Sequence, residues 1–312
     1  MESINVVFFG TTSFSTAVFS TLLEEGYQVI AAVCQPDKPV GRKHTLQEPP
    51  VKQFANEHGI PVYQPVKLSA EAETVLNLKP DLIVTCAYGQ LIPVSILNAP
   101  EYGCLNIHPS PLPKYRGGAP IQRAVMNGDT STEVCLMEMA ERMDSGRVYA
   151  RIPATIGEDE TASELFDQLE EPARQLIREY LPSYLKGELP GEVQDESNVV
   201  IAPNIKREEE QVHFQNEPLP QLYNHLRGLL DEPMGYGLLE GKRVKFARVR
   251  KLETNQEQPA GTILGFADHA MRIAAEGGIL LVYELQMEGK SRMTADAFYN
   301  GSGRNLIGKR FD

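Results

Sequence analysis

Tryptophan is absent from this 312-residue chain, and cysteine is scarce at four. Cys34, Cys86, Cys104 and Cys135 all fall in apolar runs, and none forms a Cys-x-x-Cys pair. Zinc-type spacing is therefore missing, no metal is expected, and the cysteines read as buried reduced thiols of a cytosolic protein. No run of eighteen apolar residues exists, which argues against a membrane span. Met1-Glu2-Ser3 leads straight into a strand without a basic flank or apolar stretch, so no secretory signal is expected. Gly-x-Gly-x-x-Gly is also missing, which counts against a dinucleotide site.

What remains is ordinary for a soluble globular protein: 42% hydrophobic and 23% charged residues, enough length for two domains and a sizeable core. The net charge of −12 is uneven. All of the acidic excess lies before residue 206, and the remainder is balanced. Acidity of this kind does not exclude an RNA partner, because basic residues can be concentrated locally.

Ile4 to Phe9 is a continuous apolar run ending at Gly10, the pattern of a buried parallel strand. Thr11-Thr12-Ser13 offers an N-cap for a helix through Leu22 and Leu23, and Gln28 to Cys34 is a second strand, a βαβ start. Residues 35–50 contain Pro36, Pro39, Gly41, Pro49 and Pro50, so no regular structure is expected there. This segment carries Lys38, Arg42 and Lys43, and reads either as a solvated loop or as a functional one. Helices are predicted over 50–59 and, with Ser69 as cap, over 69–78; strands over 62–63 and 81–87. The loop after them, Tyr88 to Pro93, is either a plain turn with apolar packing or a pocket wall. A helix over 119–126 and strands over 133–139 and 148–156 follow. Thr161-x-x-Glu164 is a capping box opening a long amphipathic helix that Pro172 should kink. The pattern divides the chain into a first domain at 1–189, a linker at 190–205 and a second domain at 206–312. In the last, a helix over 219–230 and short strands between Gly-containing turns suggest a small β-barrel.

One stretch stands apart: Asn106-Ile107-His108-Pro109-Ser110-Pro111-Leu112-Pro113-Lys114-Tyr115-Arg116-Gly117-Gly118. The apolar run 103–107 reads as a buried strand, and period 2 puts Asn106 and His108 on one side of its end. Three prolines in five residues then stop the strand and stiffen the loop. Open α/β sheets bind ligands at this end of their strands. A carboxamide and an imidazole there can both donate to an oxygen that gains charge, which suits acyl chemistry. An imidazole also needs a partner that fixes its tautomer, and Asp144, in the Met143-Asp144-Ser145-Gly146 turn, is either that carboxylate or a turn cap.

The pattern Asn-x-His-Pro-Ser-x-Leu-Pro-x-Tyr-Arg-Gly-Gly-x-Pro, followed by Met-Asp-Ser-Gly at 143–146, resembles the folate-dependent formyltransferases, and within them the enzymes that act on methionyl-tRNA. The resemblance implies a Rossmann-like α/β domain with a mostly parallel sheet, followed by a smaller OB-like β-barrel domain. It implies 10-formyltetrahydrofolate as co-substrate and initiator methionyl-tRNA as acceptor, in a monomeric cytoplasmic enzyme. It assigns catalysis to Asn106, His108 and Asp144, and folate contacts to Ser110, Pro111, Leu112 and Pro113 and to the loop bearing Tyr88, Leu91 and Ile92. Arg42, with Lys38 and Lys43, would reach toward the acceptor stem.

Lys242, Arg243 and Lys245 open a run holding six basic residues in ten, which reads as a phosphate-meeting stripe or as a charged edge strand. Two departures from the family pattern are visible. Proline stands at 111, where leucine is commoner, and the Pro-Trp-Pro context usual after the helix at 219–230 is replaced by Leu230-Asp-Glu-Pro-Met-Gly-Tyr236. Formyl transfer to a nucleotide-linked amino sugar, or folate binding without catalysis, are the other readings of the same motif.

Overall fold

The computed structural model describes residues 4–40 and 45–312. The described residues up to Thr155 include the strands β1 (Asn5–Gly10), β2 (Gln28–Val33), β3 (Lys38–Val40), β4 (Thr45–Gln47), β5 (Val62–Tyr63), β6 (Leu82–Cys86), β7 (Cys104–His108), β8 (Lys114–Arg116), β9 (Ser131–Glu138) and β10 (Val148–Thr155). The order β10-β9-β7-β6-β1-β2-β5 forms one seven-stranded sheet. From β5 to β7 the pairing is parallel, and β9 and β10 are added antiparallel. The chain starts in the middle, winds outward through β2 and β5, and returns to β6 and β7. This places a topological switch between β1 and β6, where the carboxyl ends of neighbouring strands open a crevice.

The sequence explains the frame. Val6 to Phe9 are fully buried, as a strand covered on both faces requires. The helix Ser13–Glu24 starts at Thr12, whose hydroxyl accepts from the Ser15 amide; the Ser15 hydroxyl accepts from the Thr12 amide and donates to the Cys86 carbonyl at 2.7 Å. A cap thus also ties the helix to β6. Phe8 stacks on Phe19 at 4.7 Å between ring centres, and burying side chains of this size contributes about 1.5–3 kcal/mol each.

Several expectations need correction. Residues 35–50 are not devoid of regular structure, because β3 and β4 form an antiparallel hairpin and a helix begins at Pro50. A two-stranded ribbon leaves one side of each strand unpaired, so Pro39 is tolerated. Ser69 caps no long helix: a 3₁₀ turn over Leu68–Ala70 precedes a short helix, Ala72–Leu76. The Thr161–Glu164 box forms in both directions. The helix behind it runs as Ala162–Gln168, Glu170–Gln175, a π segment Leu176–Tyr180 and Leu181–Leu185, with helical backbone at the junctions. Pro172 lacks the amide that would bond one turn back. Within 190–205, β11 (Val200–Ile201) pairs in parallel with β8.

The chain forms two compact units. The first comprises Met1–Pro120, Ser131–Thr155 and Phe166–Pro203; the second comprises Ile121–Thr130, Ile156–Leu165 and Asn204–Asp312. In the second, β12 (Tyr236–Leu239), β13 (Lys242–Glu253), β14 (Ile263–Ala267), β15 (Ala270–Ala275), β16 (Gly278–Met287) and β17 (Met293–Thr294) make an antiparallel sheet ordered β12-β13-β16-β15-β14, with β17 on β16. Phe311 bridges to Leu239 and Arg310 to Thr262, so the last residues lie between the two outer strands and close the sheet. Phe311 is buried there against Phe214 and Phe246 at 5.3 and 5.6 Å. The helix Leu219–Gly228 adds Leu219, Leu222, Tyr223 and Leu226 to this core.

Candidate active site

β6 and β7 are parallel neighbours, so the loops that leave their carboxyl ends start side by side. The motif loop leaves β7. Asn106 is half-buried and its Oδ1 accepts from the Thr85 hydroxyl of β6 at 2.7 Å. That bond occupies the oxygen and turns the Nδ2 hydrogens away from Thr85. His108 is 5% exposed, and its Nε2 lies 3.1 Å from the Tyr115 carbonyl. A carbonyl only accepts, so Nε2 carries a proton and Nδ1 is the nitrogen left to react.

Asp144 comes from the turn between β9 and β10. Its Oδ2 stands 3.9 Å from His108 Nδ1, with the two side chains 12% and 6% exposed. The same oxygen accepts from the Gly117 amide at 2.8 Å. The structure therefore brings a carboxylate from 36 positions downstream to the imidazole, at a separation longer than a hydrogen bond.

Backbone geometry holds this arrangement. Tyr115 and Asp144 have φ of 66° and 49°, and Gly117 has φ of 130°. A Cβ at Gly117 would stand 2.5 Å from the Ala202 carbonyl oxygen. Only glycine allows the close approach that sets its amide toward Asp144. Behind the loop, Arg116 is buried; its Nε donates to Gln194 at 3.0 Å and its guanidinium pairs with Glu196 at 2.9 Å.

The expected folate residues are placed unevenly. Ser110 is buried, and its hydroxyl has no hydrogen-bond partner. Leu112 is buried with Cys135, Met137 and Val148, so its side chain faces a small core, whereas Pro111 and Pro113 are partly exposed. In the β6 loop, Tyr88 and Ile92 belong to the sheet core, and burial pushes the Tyr88 hydroxyl's pKa up. Leu91 is 73% exposed and is the apolar side chain of that loop presented outward. The Tyr88 carbonyl accepts from Thr11 and Gln35, an anchoring that sequence alone did not reveal.

Of the basic residues, Lys38 is exposed on β3, while Arg42 and Lys43 lie outside the described residues. Lys242 is exposed at the start of β13. Arg243 pairs with Glu288 at 3.4 Å, and Lys245 donates to the Pro233 carbonyl at 2.8 Å. β13 is not an edge strand, since β12 and β16 flank it, and Arg248, Arg250 and Lys251 face Glu284, Asp159 and Glu158. Much of the stripe is thus neutralised locally. Among the described residues there is no cluster of three or more metal-ligating side chains and no helix long and apolar enough to cross a membrane.

Known proteins match over both units. A formyl transferase family model matches residues 4–181, and a formyl transferase C-terminal domain model matches 204–303. The chain is 42% identical over 299 residues to a methionyl-tRNA formyltransferase of Bacillus velezensis, covering 95% of this chain and 94% of that protein. It is 40% identical to one from Lysinibacillus sphaericus, covering 98% and 99%. Among solved structures, HypX from Aquifex aeolicus in complex with tetrahydrofolic acid aligns with a TM-score of 0.71 at 18% identity, over 98% of this chain and 48% of that one, so this chain spans about half of HypX. Methionyl-tRNA formyltransferase from Clostridium thermocellum aligns with a TM-score of 0.55 at 17% identity, over 79% and 93%. These likenesses of structure are of fold.

Proposed function

The chain belongs to the formyl transferase family, and from that premise we propose that it moves the formyl group of 10-formyltetrahydrofolate to the α-amino group of methionyl-tRNA, the initiator form. The observation that carries this reading is the meeting of His108 Nδ1 with Asp144 Oδ2 at 3.9 Å, beside Asn106 on the same strand.

Formyl transfer to an amine asks for three things: stabilisation of charge on the formyl oxygen, removal of a proton from the amine, and alignment of the reactants. Asn106, its oxygen held by Thr85, offers N–H donors to that oxygen. His108 takes the amine proton at Nδ1 and returns it to the folate nitrogen that departs as its bond to the formyl carbon breaks, while Nε2 stays on the Tyr115 carbonyl. Asp144 faces that nitrogen and supports its positive charge.

The residues suit a folate. Exposed Leu91 and partly exposed Pro111 supply apolar surface at neighbouring strand ends, as a flat heteroaromatic ring needs. When bound, the folate supplies the activated formyl group; the chain's own residues hold it and handle the proton. Lys38, Arg42, Lys43 and Lys242 are the proposed phosphate contacts, with Arg243 and Lys245 available once they exchange their internal partners.

The four cysteines are free and buried, in keeping with a reducing cytoplasm, where the enzyme acts as a monomer. Amino-sugar formyl transfer is not favoured: the relatives at 42% and 40% identity over nearly the whole chain are methionyl-tRNA formyltransferases. The test is formylation of charged initiator tRNA by the wild type and by His108→Ala. Equal rates would remove His108 from the reaction, and no formylation by the wild type would remove the reading itself.

A further inference from the structure

The loop bearing His108 and the turn bearing Asp144 come from separate parts of the chain, and one buried side chain joins them. Gln194 is 5% exposed. Its Oε1 accepts from Arg116 Nε at 3.0 Å, while its Nε2 donates to the carbonyls of Asp144 at 2.8 Å and Gly146 at 2.7 Å. One acceptor and two donors are thus matched in one carboxamide plane. Arg116 lies between Tyr115, whose carbonyl holds His108, and Gly117, whose amide holds Asp144. A few residues on, the same segment pairs with β8, and Ala202 donates to the Arg116 carbonyl at 2.7 Å.

We propose that Gln194 is a positioning residue of the reaction, which sets the Asp144 turn at the correct distance from His108. The proposal rests on the formyl-transfer reading for its kinetics. Its physical content is a need for support. Asp144 holds a left-handed backbone at φ 49°, which its neighbours must enforce. The 3.9 Å gap to His108 leaves no direct hydrogen bond to do so. A displacement of about 1 Å at such a pair costs on the order of 10²-fold in rate.

The substitution Gln194→Glu keeps the acceptor for Arg116 but sets an oxygen against the two turn carbonyls; Gln194→Met keeps the length and removes all three bonds. Each is made in the wild type and in Asp144→Asn. We expect kcat to fall about 10²-fold in the wild-type background, with KM for both substrates within about twofold. In Asp144→Asn the same changes should add less than about threefold, because a residue acting through Asp144 has little left to lose. Equal fold losses in both backgrounds, or a loss in KM alone, overturn the proposal. An activity-independent readout is amide hydrogen exchange at Gly117: it should speed up about tenfold or more relative to Val7 in the central strand. Unchanged protection of Gly117 overturns the proposal even if the wild type formylates no tRNA, an outcome that by itself bears on the formyl-transfer reading alone.

Discussion

His108 Nδ1 and Asp144 Oδ2 stand 3.9 Å apart, and each group is fixed by the backbone of the same loop, at Tyr115 and at Gly117. The loop therefore acts as a ruler between an imidazole and a carboxylate, and its three residues decide whether they can cooperate. Charge and structure can be separated here. Asp144→Asn keeps an oxygen to accept from the Gly117 amide and removes only the negative charge. We predict an almost unchanged melting temperature and a fall in kcat of about 10²–10⁴-fold, read by steady-state formylation beside a thermal melt. Wild-type kcat in this variant would show that the carboxylate serves the turn alone.

Asn106 offers a graded test. Removing its carboxamide with Asn106→Ala should cost about 10²–10³-fold in kcat, the scale seen when one oxyanion donor is lost. Thr85→Val leaves the carboxamide in place but deletes the hydroxyl that holds its oxygen at 2.7 Å. Its loss should be smaller, about tenfold, and should fall on kcat more than on either KM. A Thr85→Val loss equal to that of Asn106→Ala would mean that the hydroxyl itself meets the substrate.

Gly117 and Gly187 make a matched pair. Both have positive φ, but an added Cβ at Gly117 meets Ala202 oxygen at 2.5 Å, and at Gly187 it meets nothing within 4 Å. Gly187→Ala should cost about 1 kcal/mol by urea unfolding, the price of the left-handed backbone. Gly117→Ala adds the collision and should cost about 3 kcal/mol or more. It should also lower kcat, since its amide orients Asp144; similar stability for the two variants would contradict the close approach.

The frame was legible because its signals are local. Val6 to Phe9, Thr12 and the Thr161–Glu164 box each declare their structure within a few residues. Asn106 and His108 were legible because period 2 needs only their own strand. What escaped depends on distant partners. Gln194 looked like linker because its three bonds reach Arg116 and a turn some fifty residues away. The hairpin of β3 and β4 was hidden by Pro39, which forbids a central strand but not one side of a ribbon. Tyr88 read as a possible pocket wall, yet its ring packs edge-on to Phe9 in the core. The basic stripe of β13 looked free because its acidic partners, Glu158, Asp159, Glu284 and Glu288, are remote in sequence.

A last prediction concerns the second unit, where His225 bonds through Nδ1 to Glu217 at 2.8 Å and through Nε2 to the Glu209 carbonyl at 2.7 Å. Both nitrogens face acceptors, so the charged ring satisfies both. Burial opposes that charge, but the bond to Glu217 and its field outweigh it and hold the His225 pKa above the ordinary 6.5. Burial likewise works against the Glu217 charge, but the bonds from His225 and from the His213 amide together outweigh it, so Glu217 sits below the ordinary 4.5. The histidine's contribution to stability is complete below 6.5 and is lost as pH rises through its raised value. The glutamate's is present above 4.5 and is lost as pH falls through its lowered value. The pair therefore stabilises most between those limits. Glu217→Gln should lower the melting temperature most at about pH 5–6.5, and the difference from the wild type should shrink toward pH 9 as His225 loses its proton. A difference constant across that range would mean that shape, rather than charge, couples these two residues.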